Sequence, residues 1–216
     1  MKVHDTNDPG CRRKSTINLA GFLARSTVNG PGIRSVVWVQ GCPIHCEGCF
    51  NPLFLPFSKA EEVTPSSLAD RICAQEPIDG VTFSGGEPFA QADALGELGE
   101  RLQERGHSIV TFTGFSSDRV LTSTRPAWQR LLAVTDLLIA GPYVRSLHCD
   151  TPWIGSSNQR VIPLTDTIDL PESHASVPAV SGHLAEFTIH PNGTLTATGF
   201  PDARFVKALA HRCREV

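Results

Sequence analysis

Three of the seven cysteines crowd into eight residues: Cys42, Cys46 and Cys49, in the segment Gly41-Cys42-Pro43-Ile44-His45-Cys46-Glu47-Gly48-Cys49-Phe50. No other feature constrains the chain as much. Thiols at C-x3-C-x2-C spacing must share one tight loop, and that grouping points to metal or redox chemistry. Cys11, Cys73, Cys149 and Cys213 are single and scattered, and the total is odd, so a disulfide framework fits badly. Structural zinc would need a fourth ligand to close a tetrahedron. His45 is the nearest candidate, but it adjoins Cys46, where short ligand loops space their ligands further apart. An electron-transfer ferredoxin normally gives its [4Fe–4S] cluster four thiolates, and this loop supplies three. Three thiolates leave one iron open, as a catalytic metal keeps one position for its substrate.

The loop follows a β-branched run, Ser35 to Gln40, which reads as a buried strand. Thr64-Pro65 opens a helix, with Thr64 as N-cap and Leu68, Ala69, Ile72 and Cys73 on one face. Gly80 to Ser84 reads as a second strand, broken by Gly85-Gly86. A helix carrying Leu95, Leu98 and Leu102 and closed by Gly106 follows, then a strand from Ile109 to Thr113. Trp128, Leu131 and Leu132 mark a further helix, and Asp136 to Ala140 a fourth strand stopped by Gly141-Pro142. Strands alternating with helices imply βαβ units and a parallel sheet, an α/β fold. Ligands of such sheets gather at the carboxyl ends of the strands. Both the cysteine loop and the Gly85-Gly86 turn fall there.

Residues 1–16 are polar and are expected to fray, and 17–163 form the core. Residues 164–216 form an extension: a Pro/Ser/Thr-rich linker to about 182, a hairpin, and a short helix over 203–211. The hairpin is expected from Ala185–Ile189 and Thr194–Thr198 around Pro191-Asn192-Gly193. A formal net charge of −3 with scattered cations argues against a nucleic-acid partner. No run of about 18 apolar residues occurs, which argues against a spanning helix. Arg12-Arg13 precedes a mildly apolar stretch, Ile17 to Ala24, but Asn18 interrupts it and Arg25 ends it, a poor export signal. A cytoplasmic protein is expected.

The C-x3-C-x2-C loop resembles the cluster motif of the radical S-adenosylmethionine (SAM) superfamily. Ser84-Gly85-Gly86-Glu87-Pro88, which alone would read as a strand-to-helix turn, resembles its GGE motif. Val28-Asn29-Gly30-Pro31-Gly32-Ile33-Arg34, Phe112-Thr113-Gly114-Phe115, Asp136 to Gly141 and Trp153-Ile154-Gly155-Ser156-Ser157-Asn158-Gln159 resemble the activating protein of anaerobic ribonucleotide reductase. The resemblance runs in order over about 17–163. It implies an open partial (β/α) barrel with a mostly parallel sheet, to which the C-terminal β-hairpin is added.

The resemblance further implies Cys42, Cys46 and Cys49 as cluster ligands, and Gly48, Phe50, Ser84, Gly85, Gly86, Glu87 and Thr113 as the SAM site. The cofactors would be one [4Fe–4S] cluster and SAM. Reductive cleavage of SAM would give a 5′-deoxyadenosyl radical that takes a hydrogen atom, so no side chain need act as acid, base or nucleophile. The expected partners are a glycyl radical enzyme, anaerobic ribonucleotide reductase, and an electron donor such as flavodoxin. The alternatives are a radical SAM enzyme acting on a peptide or small natural product, and a non-catalytic iron–sulfur or zinc protein. Activators of this kind end near the Ser-Asn-Gln segment, so the last fifty or so residues are an addition with its own effect on the substrate. Arg34 and Arg160 are expected to contact SAM or a partner, or to form surface pairs. Trp153 is expected either in the core or as a lid over SAM.

Overall fold

The computed structural model describes residues 15–170, 185–189 and 195–199. In chain order the strands and helices are β1 (Ile17–Ser26), β2 (Arg34–Val39), β3 (Glu61–Val63), α1 (Pro65–Cys73), β4 (Gly80–Gly85), α2 (Ala92–Gln103), β5 (Ser108–Thr113), α3 (Ser117–Leu121), α4 (Pro126–Ala133), β6 (Leu137–Ala140), β7 (His148–Thr151), β8 (Ile154–Ser156), β9 (Arg160–Pro163), β10 (Ala185–Ile189) and β11 (Leu195–Gly199). Seven strands form one sheet in the order β3-β1-β2-β4-β5-β6-β9, and β7-β8 and β10-β11 are separate two-stranded hairpins. The centre of the large sheet, β2-β4-β5-β6, is parallel in register Arg34↔Gly80, Gly80↔Ser108 and Val110↔Leu137. Its flanks, β1 with β3 and β9, are antiparallel. This is the α/β partial barrel that the pattern and the resemblance imply, with the hairpin added.

The central strands alternate cleanly. Val37, Val39, Val81, Phe83, Ile109, Leu138 and Ala140 turn outward and are buried under Leu68 and Ile72 of α1, Leu95, Leu98 and Leu102 of α2, and Leu131 of α4. Val110, Leu137 and Ile139 turn inward and pack with Phe112, Trp153, Ile154 and Val161. Both faces are therefore covered, and the polar residues these strands carry, among them Thr82 and Thr111, are buried with the apolar ones. Thr64 caps α1 as expected: its hydroxyl accepts from Ser67 N at 3.2 Å.

The structure adds detail at three places. The stretch weighed as an export signal is β1, the longest strand, and Asn18 within it ties the cysteine region down through Nδ2 to Ser58 O and through its carbonyl to Gln40 N. Asp136 lies just before β6, not in it. Its carboxylate accepts from Ile109 N and Thr165 Oγ1, both at 2.7 Å, and so pins the start of the strand. The segment 148–163, read from sequence only as a motif, forms β7, β8 and β9. The expected Asn-Gly turn, the final helix and residues 1–14 lie outside the described residues, as does most of the linker. Among the described residues, no helix is long and apolar enough to cross a membrane.

Candidate metal centre and cofactor site

β2 ends at Val39, and the chain turns at once into the cysteine loop. The loop is clamped from behind by the short turn Pro52–Phe54: Gly41 N donates to Phe54 O at 2.8 Å, Cys42 N to Leu55 O at 2.9 Å, and Gln40 Nε2 to Leu53 O and Pro56 O. On its other side the loop is bonded to the end of β4. Gly86 N donates to Val39 O at 2.7 Å and Glu87 N to Gly41 O at 2.9 Å. The two motifs that sequence reading placed after separate strands are thus one hydrogen-bonded unit.

Gly85 and Gly86 are required there. Gly85 has φ +105°, in the region that suits glycine. A Cβ on Gly86 would overlap the Gly41 carbonyl and approach Phe54 O.

Cys42 is buried, and Cys46 and Cys49 are half-buried. Burial pushes all three thiols up. Backbone amides oppose it, from Ile44 and His45 on Cys42, from Tyr143 on Cys46 and from Asn51 on Cys49. Asn51 N lies 3.4 Å from Cys49 Sγ. Each thiol also feels the charge of another of the three. All three line one chamber, with amide donors beside them. Among the described residues, no group of three or more His, Cys, Asp or Glu is placed to hold a single ion. Three thiols on one chamber, backed by N–H groups, are the donor chemistry that a [4Fe–4S] cluster takes from a protein.

Beside the thiols lies a chamber of about 120 Å3 bounded by Ser84, Gly85, Gly86, Glu87, Thr113 and Gly141. It continues, through shared walls at Cys46, Cys49, Ser84, Phe112, Tyr143 and Gln159, into a cavity of about 410 Å3. The expected SAM residues thus gather in one place, with Phe50 on the wall of the larger cavity. Gly48 sits just outside, where a Cβ would meet Arg145 Nε at 3.3 Å and the Tyr143 ring at 3.5 Å.

Glu87 is almost fully engaged by the protein. Oε1 accepts from Phe89 N and Thr113 Oγ1, and Oε2 from Gly114 N, each at 2.9 Å. Burial raises its carboxyl to about 7 against the pull of these donors. These bonds tie the end of β4 to the end of β5.

Residues that sequence reading passed over complete the walls. Tyr143 packs edge-on against Phe50, ring centroids 4.9 Å apart. Gln159 accepts from Gly155 N and Ser156 N and donates to Gly141 O, fixing the 155–159 turn against β6. Their only sequence signals were a Gly-Pro after a strand and the Ser-Asn-Gln motif. Trp153 lines the cavity and holds φ +66°, a strained backbone for a bulky residue, worth about 1–3 kcal/mol. Asn29 lines the cavity floor, and Thr196 to Gly199 of β11 line its side. Arg34 and Arg160 touch neither chamber. Arg34 is buried at the opposite end of the sheet, donating to Thr82 Oγ1, Pro31 O, Val81 O and Ser108 O. Arg160 pairs with Ser117 Oγ at 3.3 Å. Cys73 packs against the core from α1, with Arg105 Nη1 at 3.2 Å from its sulfur.

Residues 28–162 match the family described as "4Fe-4S single cluster domain". The chain is 31% identical over 118 residues to the pyruvate formate-lyase-activating enzyme of Clostridium pasteurianum, covering 52% of this chain and 46% of that protein. It is 34% identical over 121 residues to the enzyme of that name from Staphylococcus aureus (strain USA300), covering 52% and 47%. The chain thus spans about half the length of the curated relatives it matches. A structural likeness to QueE from Escherichia coli has a TM-score of 0.37 at 19% identity, over 47% of this chain and 53% of that one. Of the cofactors expected from the sequence, the [4Fe–4S] cluster agrees with the description of this family. By the match over most of its described length, this chain belongs to the 4Fe-4S single cluster domain family.

Proposed function

We propose that the protein is a radical SAM activase that uses Cys42, Cys46 and Cys49 as cluster ligands and abstracts hydrogen from a glycine of a partner glycyl radical enzyme, anaerobic ribonucleotide reductase. One observation carries this reading: the three-thiol loop is hydrogen-bonded through Gly41 to the Gly86-Glu87 turn, so cluster and SAM sites share one wall. When bound, the cluster supplies through its open iron the electron that cleaves SAM to the hydrogen-abstracting 5′-deoxyadenosyl radical.

The chain's own residues bind, orient and shield. Ser84 and Gly85 present strand backbone to the methionine end of SAM, and Glu87 sets its carboxylate beside the ammonium. Phe50, Tyr143 and Trp153 supply apolar walls for the nucleoside and keep water from the reacting carbon. Residues 17–163 are the catalytic core and 164–216 modify access to it. A low-potential donor such as flavodoxin and a cytoplasmic, oxygen-poor setting suit this chemistry.

A second reading, a radical SAM enzyme acting on a peptide or small natural product, is favoured by one feature. Thr196 to Gly199 of β11 line the cavity and narrow the room for a bulky reductase loop. Anaerobic incubation with SAM, dithionite and anaerobic ribonucleotide reductase decides between them. A glycyl-radical doublet in the electron paramagnetic resonance spectrum supports the activase. Steady 5′-deoxyadenosine formation with no such signal supports the second reading.

A further inference from the structure

Resting on the radical SAM reading above, we propose that the hairpin β10–β11 is the specificity wall of this enzyme, and that it admits only a slender, uncharged peptide segment to the reacting carbon.

The hairpin lies beyond residues 28–162 and is therefore additional to the family core. It is attached at a defined place. Glu186 Oε1 accepts from both Thr27 N and Thr27 Oγ1 at 2.7 Å, and Asn29 Nδ2 donates to Thr198 Oγ1 at 2.9 Å. These ties join β10 and β11 to the loop that crosses the inner face of the sheet, where Thr82 Oγ1 donates to Asn29 O at 2.7 Å. Held there, Thr196, Ala197, Thr198 and Gly199 border the same cavity as Cys46 and Cys49. Alternate side chains of a strand point to opposite faces. Thr196 and Thr198, opposite Thr188 and Glu186, share the face that carries the ties to Thr27 and Asn29, whereas Ala197, opposite Phe187, is exposed and borders the cavity through its backbone.

The chemistry of the lining selects the occupant. Among the described residues, none that lines the cavity is Asp, Glu, Lys, Arg or His. Its polar groups are amides and hydroxyls: Asn29, Asn51, Ser84, Gln159, Thr196 and Thr198. Such groups both donate and accept, as peptide N–H and C=O groups require. Among the described lining residues there is no cationic side chain to meet a carboxylate or phosphate desolvated there. Size adds a limit. About 410 Å3 is near the lower end of the roughly 300–1000 Å3 that holds one drug-sized ligand. With a nucleoside in place, the room left suits a glycine and its neighbouring peptide groups, not a bulky side chain.

The test uses the reconstituted full-length enzyme with SAM and dithionite. The probes are three heptapeptides with an α-dideuterated central glycine, one flanked by Ser, Ala and Val, one by Asp and one by Lys. Deuterium transferred into 5′-deoxyadenosine, per SAM cleaved, is measured for each. The wild type should prefer the neutral peptide at least tenfold. Thr196→Arg, on the inward face of β11, should shift that ratio at least tenfold toward the Asp-flanked peptide. Thr196→Asp should do the same for a Lys-flanked peptide. Ile189→Arg places the same charge on the same hairpin at a residue 78% exposed and outside the cavity, and should leave the ratio unchanged. A gain for the acidic peptide cannot come from misfolding. Equal ratios in wild type and both Thr196 variants would overturn the hairpin's role, as would label-free 5′-deoxyadenosine from the wild type with every peptide. Absence of SAM cleavage in the wild type would instead overturn the activity on which the proposal rests.

Discussion

The Thr113 hydroxyl, at the end of β5, donates a 2.9 Å hydrogen bond to Glu87 Oε1, at the end of β4, and the same hydroxyl accepts from Phe115 N at 3.1 Å. Two neighbouring strand ends are thereby locked together beside the cysteine chamber. Thr113→Val keeps the shape and removes the hydroxyl. It should cost about 1–3 kcal/mol, because a buried carboxylate oxygen and a backbone N–H both lose a partner. Urea denaturation of the variant against wild type measures this.

Glu87 should make stability depend on pH. Its carboxyl is raised to about 7 by burial, against about 4.5 when unfolded. Below the unfolded value both states hold the proton and the contribution is complete. Between about 4.5 and about 7 the unfolded chain ionises first, so stability falls as pH rises through that window, then levels off. One pKa unit is about 1.4 kcal/mol, so the fall attributable to this group is about 3 kcal/mol. Glu87→Gln should remove that fall while lowering stability at every pH, since its amide N–H2 would face donors. The difference between the two denaturation profiles at pH 5 and pH 8 isolates the group.

Gly86→Ala should loosen the cluster loop. Its Cβ would overlap Gly41 O, so the loop or β4 must move. The expected loss is about 1–3 kcal/mol, as for other overpacked sites. Iron bound per chain after reconstitution should fall with it, because Gly41 precedes Cys42. An iron assay beside thermal unfolding checks both.

Arg34→Met should be among the most damaging single changes outside the site. The guanidinium is 1% exposed and bonds to three carbonyls and two hydroxyls, and burial lowers it to about 10 while Asp136 and Asp79 pull it back up. Removing it leaves those acceptors without partners, at about 3 kcal/mol or more. Arg34→Lys should rescue only part, because an ammonium lacks the planar fork that reaches Ser108 and Pro31 together. Denaturant midpoints of the two variants, with SAM binding measured alongside, separate this structural role from a cofactor contact.

The parallel centre of the fold was legible because each strand is a run of β-branched and apolar residues closed by glycine, and each helix shows a clear face. β1 and β3 were not, because a half-buried antiparallel strand such as Ile17–Ser26 carries Asn18, Gly21 and Arg25 and lacks a clean period. The thiols were legible from spacing alone. Tyr143 was not, and Asn29 and Gln159 stood in motifs of the resemblance without a role, since each reaches the cavity through a turn that no local pattern encodes. Arg34 misled for a physical reason: a cation in a loop motif reads as exposed, and only the fold shows Ser108, 74 positions away in the chain, closing over it.

The central claim is that three cysteines hold a cluster that activates SAM. It is tested most directly by 5′-deoxyadenosine formation in anaerobic protein reconstituted with iron and sulfide, given dithionite and SAM, beside Cys46→Ala. The account predicts steady product from wild type and a loss of at least a hundredfold in the variant. Equal product from both, or no product from wild type that carries zinc and no iron, would contradict it.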